Sequence, residues 1–509
     1  MSSPHPWIAS YPPALRWDSE IGVRPVPQIL DEACARWPDR AAIDFMGRQF
    51  SYSEVGDLVA RAAKGLQALG VGPGVHVGLY LANTPHYLIS FFAVLKAGGV
   101  VVNYSPLDAE KVLEHKIGDS QTDVLITLDF QALYPQMDRL LASTRLKTLV
   151  VGTLGEMTAH PAAVTQQLRA AGQLSDVSFD ERHRSFASLL ANDGRYQPHD
   201  IGDPREALAV LQYTGGTTGL PKGAMLTHGN LSAANQQYWL TCTYGGADLQ
   251  EGAERFLCVL PPFHIYALSV NMLLGVRLGA TQILHTRFEP EPILKDLAAK
   301  KVTVFPGVPT MYTAINHFPG VEQFDMRALK YCGSGGAPLP VEVHQRFMQL
   351  TGCSLSEGWG MTETSPSGTF SPVTGPQRVG SCGLPMPGIT IRFVQLDNPD
   401  AYVAPGERGE IVIRGPNVMK GYWGNAAATA EAFNLDGYMR TGDVGLMDAE
   451  GYIHIVDRTK DMLLCSGFNV YPRTIEEAIY AHPSVAEVCV IGIPDEYRGQ
   501  SPKAFIALK

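Results

Sequence analysis

Two hydrophobic periods alternate along the chain. From Glu54 onward, Val55, Leu58, Val59, Ala62, Leu66 and Leu69 recur at the spacing of one helix face, until Gly-Val-Gly-Pro-Gly breaks the pattern. Residues 75–81 then read as a buried strand. A helix over 85–97 leads through Gly98-Gly99 into a strand at 100–103, and a helix near 110–117 with a strand at 124–128 repeats the unit. Strands alternating with helices predict parallel sheets covered on both faces.

Between Gln131 and Asp203 the periodicity weakens and polar residues rise. Only 146–151 is strand-like there, so this stretch reads as a variable connection. A short apolar run, Ala207 to Tyr213, restores the pattern as a strand. Further strands are predicted at 256–260, 281–285 and 302–305, and helices at 267–278, 291–300 and 341–350. Residues 389–394 and 410–414 are short strands between Pro- and Gly-containing turns, which marks a mostly β subdomain over about 380–458. A strand at 452–457 follows. Thr474 and Glu477 have the capping-box spacing for a short helix to Tyr480, and strands at 488–493 and 504–508 end the sequence.

Composition adds limits. With 509 residues, 45% hydrophobic and 18% charged, the chain can bury several cores and holds more than one domain. A net charge of −10 argues against a nucleic-acid partner and requires local donors for any anionic ligand. Eight scattered cysteines show neither Cys-x-x-Cys nor zinc spacing, the pattern of reduced thiols in a cytoplasmic protein. Met1 to Pro13 lacks a basic, apolar signal segment. The longest apolar run, Tyr87 to Leu95, stops at Lys96, too short to span a bilayer. A soluble protein is expected, with peripheral contact at a membrane surface left open.

The chemistry concentrates at a few places. Thr214, Gly215, Gly216, Thr217, Thr218 and Gly219 precede Lys222, a phosphate cradle in composition: glycines turn backbone N–H groups onto an anion, hydroxyls add donors and lysine adds charge. Lys222 is followed by Gly223, so this is not a Walker loop; a Gly/Thr surface loop between a strand and a helix is the plain alternative. A second Gly-rich turn, Gly333 to Pro338, precedes Glu357-Gly358-Trp359-Gly360-Met361-Thr362-Glu363-Thr364. An indole face suits adenine and a carboxylate suits Mg2+ shared with phosphates, although a buried tryptophan beside a surface acid has the same sequence. His264 follows a predicted strand, where a histidine often serves the core. Asp457-Arg458-Thr459-Lys460-Asp461 reads equally as an exposed charged turn. Neither a Gly-x-Ser-x-Gly elbow nor His-Glu-x-x-His is present to suggest a hydrolase.

Together and in this order, these strings resemble the signatures of the adenylate-forming (AMP-binding) superfamily, over nearly the whole chain from about Val26. The resemblance implies an α/β N-terminal domain, 1–458, with two parallel-type αβαβα sheets and a small β subdomain. A small α+β C-terminal domain, 459–509, would follow. It implies that ATP is held by Thr214 to Gly219, Gly336, Ala337, Pro338, Glu357, Gly358, Trp359 (adenine), Thr362 (phosphate), Asp443 (ribose hydroxyls) and Arg458. Thr214 and Glu363 would adjoin Mg2+, and Lys222 would neutralise phosphate charge. His264, in Pro-Pro-Phe-His, would abut the carboxylate and thiol, with Tyr266, Val308, Pro309 and Gly335 near the acyl group. Lys460 would sit at a hinge, and Gly467, in Ser-Gly-Phe-Asn-Val-Tyr-Pro, in the CoA tunnel.

The implied reaction joins a carboxylic acid and MgATP into acyl-AMP and pyrophosphate, then passes the acyl group to CoA. Within the family the strings most resemble bacterial medium- or long-chain fatty acyl-CoA ligases and related dicarboxylate ligases. Aryl acids stay open, as does a nucleotide- and acyl-binding homologue without catalysis. Arg277 and Arg287, which could read a second carboxylate, are expected at the surface. A monomer or a homodimer is expected. Three departures stand out: Cys465-Ser466-Gly467 replaces Ser-Gly-Gly, Leu268 stands where some long-chain enzymes carry a gating Trp, and the sequence ends at Lys509 before the family's Pro-x-x-x-Ser/Thr-Gly-Lys motif. The last implies a truncated form or a variant with weakened adenylation.

Overall fold

The computed structural model describes residues 5–508, apart from 215–219, 338, 375–377, 379, 466–467, 481, 483 and 496–498. Two seven-stranded sheets carry most of the chain. The first runs, in spatial order, His183–Ser185, Thr148–Gly152, Thr122–Leu128, His76–Leu79, Val100–Asn103, Leu208–Thr214 and Lys222–Thr227. Only its last pair is antiparallel. The second runs Leu355–Glu357, Tyr331–Ser334, Val304–Gly307, Arg255–Cys258, Thr281–Leu284, Ala41–Phe45 and Arg48–Ser51, again parallel except at the final hairpin.

That hairpin, whose strands are too short to show a period in the sequence, interleaves the sheets: Ile43 pairs with Gln282, more than two hundred residues on. The apolar run near 87–95 becomes the helix Pro85–Lys96, buried on every side from Pro85 to Leu95. A helix apolar all round belongs between two layers. Among the described residues no helix is long and apolar enough to cross a membrane. All eight cysteines are free.

Two four-stranded antiparallel sheets follow. One orders Thr390–Val394, Gly409–Arg414, Met439–Met447 and Ile453–Arg458. The other orders Phe468–Val470, Leu463–Cys465, Gly499–Leu508 and Val485–Asp495, with the helix Pro472–Tyr480 against the last strand.

Four expectations need correction. The stretch 131–203 is more than a connection, for it adds the helices Tyr134–Ser143 and Pro161–Ala170 and the strand His183–Ser185 to the first sheet's layers. Pro161–Ala170 buries none of its residues, so it had little apolar stripe to reveal. The C-terminal helix starts at Pro472, whose fixed φ suits a first helical position, so Thr474 lies inside the helix and is not its cap. Residues 267–273 form a π-helix before one α-turn, Leu274–Arg277, a distinction too fine for apolar spacing over so short a run. Arg277 is no surface cation. It lies 4.7 Å from the Trp239 ring and donates to Gln236 at 2.9 Å, and burial lowers its pKa to about 10.

Candidate active site

Four adjacent parallel strands of the second sheet end at one edge, where open α/β sheets place their ligands. From those ends emerge Leu260 to His264, Val308-Pro309, Gly335 to Ala337 and Gly358 to Glu363. Ser334 pairs with Glu357, so the Gly335-Gly336 and Gly358-Trp359 turns leave the sheet side by side. Gly336 has φ +79°, a conformation that favours glycine. Glu357 accepts a hydrogen bond from the Leu339 N–H at 3.1 Å, and burial raises its pKa. A Cβ on Gly333 would lie 2.9 Å from the Tyr266 hydroxyl, and one on Gly335 3.4 Å from its ring. These glycines therefore admit the tyrosine to the strand ends. Pro338 lies outside the described residues.

The Gly/Thr segment lies between two strands of the first sheet, not between a strand and a helix. Thr214 and Lys222 are cross-strand partners that close it, and the following helix begins only at His228. Residues 215–219 lie outside the described residues. Lys222 is exposed, with its ammonium 5.2 Å from the centre of the Tyr422 ring. Both strands flanking the segment pack against the short turn Thr362–Thr364. The two strands that carry Thr214 and Lys222 thus meet the Thr-Glu motif.

At that turn Thr362 is partly exposed, while Glu363 is 6% exposed, reversing the surface position allowed for this acid. Burial raises the Glu363 pKa, opposed by the Tyr422 hydroxyl, which donates to Oε1 at 2.9 Å. The Glu363 backbone N–H opposes that rise as well. A single carboxylate beside hydroxyls is the donor set that Mg2+ shared with phosphates uses. No cluster of three His, Cys, Asp or Glu that could hold a metal by itself occurs among the described residues.

Trp359 and Asp443 come together from different sheets. The indole Nε1 donates to Asp443 Oδ2 at 2.8 Å, and Arg458 Nε donates to Oδ1 at 3.0 Å. Asp443 and Arg458 face each other on adjacent strands. Burial raises the Asp443 pKa, while Arg458, the indole and Lys460 lower it. Lys460 is exposed in the turn just beyond Arg458. Gly467 lies outside the described residues.

His264 is open to solvent on one side yet crowded on the others. Burial lowers its pKa, with Lys116 acting the same way and Asp108 against it. Its loop is held by a buried polar chain that ties the two sheets together. Tyr87 donates to Asn103 Oδ1 and to the Pro262 carbonyl, both at 2.8 Å; Asn103 donates to Gln212 at 2.8 Å; and Gln212 donates to the Phe263 carbonyl at 2.7 Å. Sequence reasoning missed Tyr87, Asn103, Gln212 and Tyr422, for none carries a motif. A polar residue inside an apolar strand, as at Asn103 and Gln212, was the available signal.

Residues 30–423 match the model of the AMP-binding enzyme family, and 474–509 that of the AMP-binding enzyme C-terminal domain. The chain belongs to the AMP-binding enzyme family. It is 38% identical over 513 residues to a long-chain-fatty-acid–CoA ligase of Bacillus subtilis, covering 100% of this chain and 90% of that protein. It is 36% identical over 471 residues to a feruloyl-CoA synthase of Amycolatopsis, covering 92% and 86% of the two. Among solved structures it is similar to ATP-bound MatB from Rhodopseudomonas palustris, with TM-score 0.78 and 27% identity over 96% of this chain and 89% of that one. The anthranilate CoA ligase AuaEII in complex with anthranoyl-AMP gives TM-score 0.81 and 25% identity, covering 97% and 88%.

Proposed function

We propose that this chain is an AMP-forming fatty acid–CoA ligase. It would join a medium- or long-chain carboxylic acid to ATP, releasing pyrophosphate, and then transfer the acyl group from acyl-AMP to CoA with release of AMP. The observation that carries the reading is the convergence of Trp359, Asp443 and Arg458 beside the Thr362–Thr364 turn, against which the strands carrying Thr214 and Lys222 pack. Full-length similarity to long-chain-fatty-acid–CoA ligases supports the acid class.

In this reading the acid's carboxylate oxygen attacks the α-phosphorus of ATP and the pyrophosphate oxygen leaves in line. The protein contributes position and charge rather than a covalent nucleophile. Lys222 and the 215–219 backbone take the phosphates, with Thr362 beside them. Asp443 accepts from the ribose hydroxyls, Trp359 lies against adenine, and Arg458 steadies Asp443 while reaching the nucleotide. Glu363 and Thr214 would hold Mg2+, which supplies charge neutralisation on the phosphates when bound. His264 would stand where carboxylate and thiol meet, and the burial that lowers its pKa favours the neutral imidazole there. Lys460, just after Asp443's strand partner, would be the hinge between units at 1–458 and 459–509, and Gly467 would line the thiol path.

The dicarboxylate alternative needs a cation for the second carboxylate. Arg277 is engaged with Gln236 and Trp239, and exposed Arg287 pairs with Glu289. Both arrangements favour a monocarboxylic acid. The test is pyrophosphate release measured with saturated fatty acids of increasing length, ferulate and malonate, with Mg2+ and CoA present. Release with the fatty acids is expected. Release with ferulate or malonate alone would move the substrate class, and none with any acid would overturn the ligase reading.

A further inference from the structure

Tyr422 belongs to no motif on which the ligase reading rests, yet it touches both Glu363 and Lys222. Its place is fixed by backbone. Residues 419–423 run antiparallel beside the strand Lys222–Thr227, with Met225 N–H donating to the Gly421 carbonyl at 2.9 Å, Trp423 N–H to the Gly223 carbonyl at 2.8 Å and Lys420 N–H to the Met225 carbonyl at 3.0 Å. The bridge puts Tyr422 opposite Ala224. Lys222 lies two residues from Ala224, so its side chain shares that face and meets Tyr422 diagonally. Gly421 has φ +143°, and a Cβ there would lie 2.6 Å from Thr429 Cγ2, so the approach to Tyr422 needs glycine. The same segment grips the acid's turn: Met419 N–H donates to the Glu363 carbonyl at 2.7 Å, and Asn417 donates to the carbonyls of Thr364 and Ser367 at 2.7 and 2.6 Å.

We propose that Tyr422 is a positioning residue that sets the phosphate-side lysine and the metal-side acid in one geometry. Its hydroxyl orients the Glu363 carboxylate through Oε1, and its ring face supports the Lys222 ammonium. The two charges that must meet one triphosphate are thereby registered through a single rigid side chain, although they come from different sheets. The inference rests on the ligase reading, because it takes Glu363 toward Mg2+ and Lys222 toward phosphate.

Tyr422→Phe removes the hydrogen bond and keeps the ring; Tyr422→Leu removes both. ATP binding, followed by titration calorimetry on the full chain across Mg2+ concentrations and in EDTA, separates the roles without using turnover. Tyr422→Phe should raise the Mg2+ needed for half of the affinity gain by roughly three- to tenfold, while leaving ATP affinity in EDTA at the wild-type value. Tyr422→Leu should add a loss in EDTA of about two- to fivefold. If Tyr422→Leu fails to fold, Tyr422→Phe, which loses one oxygen atom, still decides the metal-side claim. A wild-type Mg2+ dependence in Tyr422→Phe, or equal weakening with and without Mg2+, would overturn the proposal. A wild-type chain that binds no ATP at all would instead overturn the ligase reading beneath it.

Discussion

Trp359 Nε1 donates to Asp443 Oδ2 at 2.8 Å, joining the edge of a parallel sheet to a strand of the antiparallel subdomain across 84 residues of sequence. Asp443 is 4% exposed, and its other oxygen takes Arg458. A buried carboxylate between two donors is fixed in direction. That fixes where its remaining lone pairs could meet the ribose of the proposed nucleotide.

Asp443→Asn keeps the shape but sets an amide where two donors now converge. The ATP KM should rise by about ten- to a hundredfold, from ~1.5–3 kcal/mol of lost charged hydrogen bonding. Initial rates against ATP concentration would show this. An unchanged KM would remove Asp443 from nucleotide binding.

Lys222 is exposed, so Lys222→Ala should leave the melting curve nearly untouched, within roughly 0.5 kcal/mol. Acid-dependent pyrophosphate release should still fall by about a hundredfold, the scale seen when one donor to a charged transition state is removed. Lys222→Arg should recover only part of the rate, since a planar fork replaces a compact charge. Equal losses of rate and stability would instead mark a structural lysine.

Much of this was legible in the sequence because the fold exposes its chemistry at strand ends. The strand at 100–103 and the turn glycines stand where apolar runs and Gly punctuation placed them. What stayed hidden depends on contacts between distant segments. The hairpin at 41–51 has short strands whose partner lies in the second sheet, and Tyr422 matters only because a bridge to Ala224 brings it over Lys222. Glu363 could not be known as buried from its neighbours, since the strap at 417–422 covers it.

Gln212 tests the polar chain beneath His264. It is 5% exposed, accepts from Asn103 and donates to the Phe263 carbonyl. Gln212→Leu strands a donor and an acceptor, so urea unfolding should show a loss of about 1–3 kcal/mol. Because the released carbonyl adjoins His264, CoA-dependent thioester formation should slow more than ATP binding weakens. A stability loss with wild-type kinetics would separate the network from the site.

His228 gives the chain a stability that depends on pH. It is 3% exposed, its Nδ1 accepts the Val26 N–H at 3.1 Å, and burial lowers its pKa to about 4. An unfolded imidazole titrates near 6.5, so between those values the unfolded chain binds a proton that the folded one refuses. Stability is therefore full above about 6.5, falls as pH drops toward the folded value and levels off below it, a loss on the order of 3 kcal/mol. His228→Gln, which can offer an oxygen to Val26 but cannot take the proton, should flatten that part of the curve. Chemical denaturation at pH 7.5 and 5 would read the difference between the two proteins. If their losses are the same, the acid sensitivity lies elsewhere, and the link from the 26–36 segment to the helix His228–Tyr244 does not depend on a neutral imidazole.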